Sequence, residues 1–208
     1  MKNKTLSLLF PTPVANIQFD ENLIFDNSLK YLIDHMNADE NSNFKNTGHY
    51  CTSDNLNLND NLIELKKIID NEVNAFAENV YKINHNDIRM SCMWANIRSS
   101  NSKHHVHLHQ NSYISGVIYL NNITTSDPGD IFFVDPRTSN RVLYANHYDE
   151  NNYMASNWKY TPKTGMMLIF PGWLEHGTDS GSFSHSEYRV SVSFNYVLMS
   201  SNQNFAKL

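Results

Sequence analysis

From Ile88 onward the chain repeats with a period of two, and this alternation constrains the fold more than any other feature of the sequence. Successive side chains of an extended strand point to opposite faces. In IRMSCMWANIR (88–98), Ile88, Met90, Cys92, Trp94 and Asn96 therefore share one side. The runs ISGVIYL (114–120), DIFFVD (130–135), GMMLIF (165–170) and RVSVSFNYV (189–197) follow, separated by stretches containing Gly, Pro, Asn and Asp that turn a chain. Such a series of short strands predicts an all-β sandwich or barrel.

Before residue 87 the period is that of a helix. Phe25, Leu29, Leu32, Ile33 and Met36 recur at three-to-four spacing, with Asn22 or Asp26 as candidate caps. Leu62, Leu65, Ile69, Val73, Phe76 and Val80 form a second stripe behind Asn59 and Asp60. Both stripes read as faces that pack against the β half. The Asn- and Ser-rich segments 37–47 and 52–59 read as loops, and residues 138–164 as a lid or irregular excursion near a site. At 208 residues, the expected organisation is one domain over 1–208, with 1–87 a helical N-terminal part and 88–198 a β core.

Charge and cysteine usage narrow the partners. A net charge of −5 without a basic run argues against a nucleic-acid surface. Two cysteines, Cys51 and Cys92, leave no room for a disulfide framework or a cysteine-rich zinc module, so a reducing, cytoplasmic setting is expected. Lys2 and Lys4 precede an apolar stretch, but Pro11 and Pro13 break it and no small-residue cleavage pattern follows, which argues against a signal peptide. No run reaches the roughly 20 apolar residues of a membrane span. Oligomeric state is not legible; a homodimer is compatible with the sequence.

The chemistry lies in the histidines. Four of the ten fall between residues 104 and 109, where alternation puts His105, His107 and His109 on one side and His104, Val106 and Leu108 on the other. Imidazoles alternating on a rigid strand converge as a metal requires, and His176 in FPGWLEHGT can supply a third donor after the Pro171–Gly172 turn. The alternative is a solvated histidine strand that binds metal adventitiously. Arg189, Ser191, Ser193 and Asn195 share one strand face opposite Val190, Val192, Phe194 and Tyr196. A polar inward face lines a cavity, and an Arg at its head offers a planar fork for a carboxylate. His35, His49, His85, His147 and His185 receive no role.

These residues carry a resemblance. His107-Leu108-His109-Gln110-Asn111-Ser112, Ser115 to Leu120 (SGVIYL), Asp135-Pro136-Arg137, Gly165 to His176 (GMMLIFPGWLEH) and Arg189 to Asn195 (RVSVSFN) together resemble the 2-oxoglutarate/Fe(II)-dependent oxygenases of bacterial and phage genomes. Leu9 to Val14 (LFPTPV) and Trp94-Ala95-Asn96 also resemble that group. The resemblance implies a double-stranded β-helix, a cupin-like jelly roll, with iron at its mouth. It further implies His107 and His176 as Fe(II) ligands and Arg189 as the clamp for the far carboxylate of 2-oxoglutarate, helped by Ser191 or Tyr119. Asn96, Ser115 and Asn195 become pocket-lining hydrogen-bonders.

His109 stands where the wider superfamily has an aspartate. Three readings follow: a true third ligand, which is preferred, a residue beside a two-histidine iron, or a substrate contact. His105 is a less suitable ligand, and His104 is expected to point away. Asp135, Glu175 and Asp179 are the nearest acids in sequence, but spacing places none on the metal. The expected function is an Fe(II)-, 2-oxoglutarate- and O2-dependent dioxygenase that hydroxylates a protein side chain or small metabolite and releases succinate and CO2. Three histidines also suit a zinc hydrolase or hydratase, and a non-catalytic jelly-roll binding module is the remaining alternative.

Overall fold

A computed structural model describes residues 5, 7–20, 25–99, 102–121, 127–137, 155–182 and 188–199. Among the described residues ten strands form two antiparallel sheets. They are β1 (Ala15–Gln18), β2 (His49–Cys51), β3 (Ile88–Arg98), β4 (His104–His107), β5 (Ile114–Tyr119), β6 (Ile131–Val134), β7 (Asn157–Tyr160), β8 (Met166–Pro171), β9 (His176–Thr178) and β10 (Arg189–Leu198). The larger sheet runs β1-β8-β5-β10-β3-β2 and the smaller β4-β9-β6-β7, the face-to-face layout of a jelly roll. The mostly-β expectation with N-terminal helices holds.

The large sheet is buried on both faces, and this explains the composition of its strands. Its outer face, with Met93, Ala95, Ile97, Val190, Val192, Phe194, Tyr196 and Ile118, packs under the helices. Helix α1 (Asp26–Ala38) contributes Leu32 and Met36, and helix α3 (Ile63–Phe76) contributes Leu65, Ile69, Val73 and Phe76. Each such side chain is worth about 1.5–3 kcal/mol on burial. Val80 departs from its predicted stripe: a π-helical turn over Ala77–Tyr81 rotates it to 44% exposure. Asn59 caps the 3-10 turn Asp60–Leu62 that precedes α3, its side chain accepting from the Asn61 N–H at 3.0 Å, while α3 itself, with Leu62 at its N-cap, has no side-chain cap; Asn22 lies outside the described residues. The inner face of the large sheet meets the small sheet through Val117, Tyr119, Leu168, Phe170, Ile131 and Phe133.

Several local expectations need correction. The segments 37–47 and 52–59 contain helix α2 (Phe44–Thr47) and a 3-10 turn (Leu56–Leu58). Residues 157–160, inside the predicted excursion, form β7, which pairs with β6; residues 138–154 lie outside the described set. The strict alternation of 88–98 also fails. Asn195 pairs with Cys92 but Tyr196 pairs with Met90, so Ser91 is an extra, bulged residue whose hydroxyl donates to the Asn195 carbonyl at 3.1 Å. Ile88 and Met90 therefore join the helix-side core with Met93, Ala95 and Ile97, while Cys92, Trp94, Asn96 and Arg98 face between the sheets.

Candidate metal centre

Strands β4 and β9 run antiparallel with His107 opposite His176. The pairing is irregular between His104 and His107, and the extra residue changes which histidines turn inward. His105, expected on the inner face, is exposed. His104, expected to point away, lies with its ring 5.3 Å from His49 and 5.9 Å from His107.

His109 follows the end of β4, where its N–H donates to the Gly172 carbonyl at 2.8 Å. Gly172 is required there, because a Cβ would collide with the Ser112 carbonyl. The turn it forms, closed by Leu174 N–H to Pro171 O at 3.0 Å, brings His176 back beside His107 and His109.

The three rings converge. Centroids are 4.4 Å apart for His107–His176, 5.2 Å for His109–His176 and 5.3 Å for His107–His109, and one donor atom from each lies within 4.8 Å of the others. Backbone carbonyls select the tautomers. His107 Nδ1 is 2.8 Å from the His105 carbonyl and His176 Nδ1 is 2.8 Å from the Leu174 carbonyl. A carbonyl only accepts, so both Nδ1 atoms carry the proton and both Nε2 lone pairs are free. Burial pushes His176 down to about 3, against the Leu174 hydrogen bond, and burial with the neighbouring His107 pushes His109 down to about 4. At neutral pH these two rings are uncharged donors, the state a divalent first-row metal needs, so the residues fit such an ion. Asp135 pairs with Arg137 and Asp179 with Lys159, and Glu175 is exposed; among the described residues no carboxylate joins the cluster.

Those shifts have a measurable consequence in the metal-free protein. Native His176 titrates near 3 and the unfolded residue near 6.5, so between those values the unfolded state binds more protons. The stability is complete above pH 6.5 and is lost progressively as the pH falls towards 3. His176 alone accounts for about 2 kcal/mol by pH 5. Thermal melts of metal-free protein from pH 7.5 to 4.5 are expected to show a falling midpoint, and His176→Gln is expected to flatten the slope.

Beyond the histidines the cleft floor is cationic. Arg189 and Arg98 are in-register partners on β10 and β3, each 4% exposed. Arg189 Nη1 donates to the Pro128 and Gly129 carbonyls, both at 2.6 Å, and its guanidinium carbon sits 5.6 Å from the Tyr119 ring centroid. Arg98 Nη1 crosses to the small sheet and donates to Thr178 Oγ1 at 2.5 Å. Burial and the charge of Arg189 lower Arg98 to about 10, still protonated at neutral pH. No carboxylate among the described residues lies within ion-pair distance of either guanidinium. Burying an unpaired cation costs several kcal/mol, so this floor is built for an anion that binds.

The other expected site residues divide. Tyr119 and Ser191 are in-register neighbours on the inner face beside Arg189 and are buried. Asn96 is also inside, its Oδ1 3.4 Å from His49 Nε2 and its Nδ2 donating to Ser193 Oγ at 3.5 Å. Ser115 and Asn195 bond to each other: Ser115 Oγ donates to Asn195 Oδ1 at 2.7 Å, and Asn195 Nδ2 donates to Cys92 Sγ at 3.5 Å. Arg98, Thr178 and His49 were not singled out from sequence. Arg98 carried a signal, since it continues the Trp94, Asn96 parity; His49 carried none.

A cluster of three imidazoles, two of them neutral at pH 7, and a buried pair of guanidiniums with no acid beside it among the described residues are the makings of a metal-dependent enzyme that takes an anionic co-substrate. The comparisons are specific about which. The model of the family described as "Putative 2OG-Fe(II) oxygenase" matches residues 92–195, half of the chain, and the protein belongs to that family. It is a 2-oxoglutarate/Fe(II) oxygenase, an oxidoreductase that uses Fe(II), 2-oxoglutarate and O2.

Solved structures share the fold. A Pseudomonas putida prolyl-4-hydroxylase superposes with a TM-score of 0.57 at 12% identity, covering 90% of this chain and 93% of its own. HygX from Streptomyces hygroscopicus, with nickel, 2-oxoglutarate and hygromycin B bound, gives 0.59 at 13% identity over 90% and 83%. A 2OG-Fe(II) oxygenase family oxidoreductase from Burkholderia pseudomallei gives 0.55 at 16% identity over 88% and 84%. No curated protein sequence matches the chain. No helix among the described residues is long and apolar enough to cross a membrane.

Proposed function

We propose that His107, His109 and His176 hold the Fe(II) of this oxygenase through Nε2 of His107 and of His176 and a nitrogen of His109, and that Arg189 holds the far carboxylate of 2-oxoglutarate. The observation that carries the assignment is the pairing of a three-imidazole cluster with a buried cation that has no carboxylate partner among the described residues. Bound Fe(II), with 2-oxoglutarate and O2, supplies the oxidation that yields succinate and CO2 and hydroxylates a C–H bond of the prime substrate.

The chain's own residues position and enclose. Leu174 and His105 carbonyls fix the two imidazoles; Phe133 and Phe170, 6.0 and 4.7 Å from His176 ring to ring, exclude water from its buried side. Tyr119 supports the Arg189 guanidinium and Ser191 lies beside it. Asn96 lines the same face, and Ser115 with Asn195 closes the pocket wall near Phe170.

The prime substrate is a small metabolite or a protein side chain. A cavity of about 600 Å³ lies between segment 7–14 and the β6–β7 pair and reaches Phe133 and Leu174; neither the three histidines nor Arg98 and Arg189 line it, so it is set apart from the centre. Two free cysteines fit the cytoplasmic setting expected from composition.

The test is spectroscopic. Anaerobic protein loaded with Fe(II) is expected to develop a weak visible charge-transfer band when 2-oxoglutarate is added, and to release succinate when air is admitted. Absence of the band, together with one tightly held zinc and esterase or hydratase turnover, would overturn the assignment.

A further inference from the structure

The cleft floor contains one cation more than a single carboxylate clamp requires. Arg98 is not an incidental neighbour of Arg189: the two are directly opposed across β3 and β10, so both side chains emerge on the same inner face. Arg98 is 4% exposed, and its Nε is the one buried side-chain nitrogen or oxygen among the described residues that lacks a hydrogen-bond partner. A buried guanidinium left with an open N–H is a costly arrangement that persists where a ligand completes it.

Its position suits a ligand that also reaches the metal. Thr178, which accepts from Arg98 Nη1, is two residues along β9 from His176, roughly 6–7 Å in a strand. The three C–C bonds between the keto carbon and the far carboxylate of a five-carbon oxoacid span roughly 4 Å. A chain anchored by its keto end at the histidines and laid along β9 runs toward Thr178 and the Arg98 fork that Thr178 holds.

Resting on the function proposed above, we infer that Arg98 is a second anchor for the far carboxylate of the oxoacid, donating from Nε while Arg189 donates from its free guanidinium N–H groups. Two cations on one carboxylate make the site selective for a dicarboxylic oxoacid over a monocarboxylic one. Thr178 orients the Arg98 fork, and the carbonyls of Pro128 and Gly129 orient that of Arg189.

The experiment titrates anaerobic Fe(II)-loaded protein with 2-oxoglutarate and, separately, with 2-oxopentanoate, which has a methyl group in place of the far carboxylate. Both are read by the charge-transfer band, and thermal melts are run on the unliganded proteins. In Arg98→Met the Kd for 2-oxoglutarate is expected to rise about 10- to 100-fold, with that for 2-oxopentanoate changed less than about 2-fold. The unliganded variant is expected to melt at the same temperature as wild type or higher, because a buried, unpaired cation has been removed. Arg98→Lys, which keeps the charge without the fork, is expected to fall between the two.

Unchanged 2-oxoglutarate affinity in Arg98→Met overturns the inference while leaving the function intact. So does an equal loss for both oxoacids with a lower melting temperature, or a Met variant that does not fold, since each assigns Arg98 to the scaffold. A wild-type protein that shows no band with 2-oxoglutarate overturns the function itself.

Discussion

Replacing His176 with alanine is expected to reduce bound Fe(II) from one equivalent to a trace and to lower succinate formation by at least about 10³-fold. The size follows from what the side chain does. Residues that merely orient metal ligands cost 10- to 100-fold when removed, and His176, proposed above as a donor itself, has its orientation already set by the Leu174 carbonyl. It is also the most buried of the three rings, between Phe133 and Phe170, so no solvent-exposed group takes its place. Truncating it leaves a cavity, and a loss of about 2–4 kcal/mol of stability accompanies the loss of metal. A melt must therefore show folded protein at the assay temperature before metal content is read. His105→Ala provides the contrast: it is exposed and turned outward, and it is expected to retain full metal and activity. Metal analysis of the two variants checks both statements, and a full equivalent of iron in folded His176→Ala would sink the three-histidine centre.

That contrast also shows where sequence reading succeeded and where it could not. Strand β10 was legible because both its faces are buried for different reasons. Val190, Val192, Phe194 and Tyr196 meet the helices, while Arg189, Ser191, Ser193 and Asn195 line the cleft, so the alternation of polarity records the structure directly. Strands β3 and β4 violate the period by one residue each, at Ser91 and between His104 and His107. A bulge changes the face of every residue beyond it but leaves no compositional mark, so alternation alone assigned Met90 and His105 to the wrong sides. The short strands β1, β2, β7 and β9 have three or four residues each and exist because longer partners pair with them, which is information held elsewhere in the chain.

The same limit applied to the site. His107 and His109 share one motif while His176 and Arg189 come from two others; the histidines meet once β4 pairs with β9, and Arg189 meets Arg98 once β10 pairs with β3. An Arg at a strand end, such as Arg98, has the same sequence signature whether it is a solvated rim residue or a buried one. Its significance comes from burial and from the absence of an acid, neither of which a sequence displays.

Arg189→Ala is expected to raise the Kd for 2-oxoglutarate by about 10²- to 10³-fold while leaving Fe(II) content unchanged. The guanidinium is buried, so its interaction with a carboxylate operates in a low-dielectric interior. Removing one partner of such a pair typically costs 3–5 kcal/mol. The loss exceeds that expected for Arg98 because Arg189 is held by two carbonyls and stacked on Tyr119, so its free N–H groups are already aimed when the oxoacid arrives.

Truncation also orphans the Pro128 and Gly129 carbonyls, and their repulsion for an incoming carboxylate adds to the effect. Arg189→Lys keeps one positive charge but cannot serve both carbonyls and a carboxylate from a single ammonium, so it is expected to recover only part of the affinity. Because Arg189 offers the cluster of three histidines no donor atom, metal analysis separates the two functions: iron stays at one equivalent while the charge-transfer band requires far more 2-oxoglutarate. If the band of folded Arg189→Ala saturates at the wild-type concentration, the far carboxylate is held elsewhere and the cationic floor serves another anion.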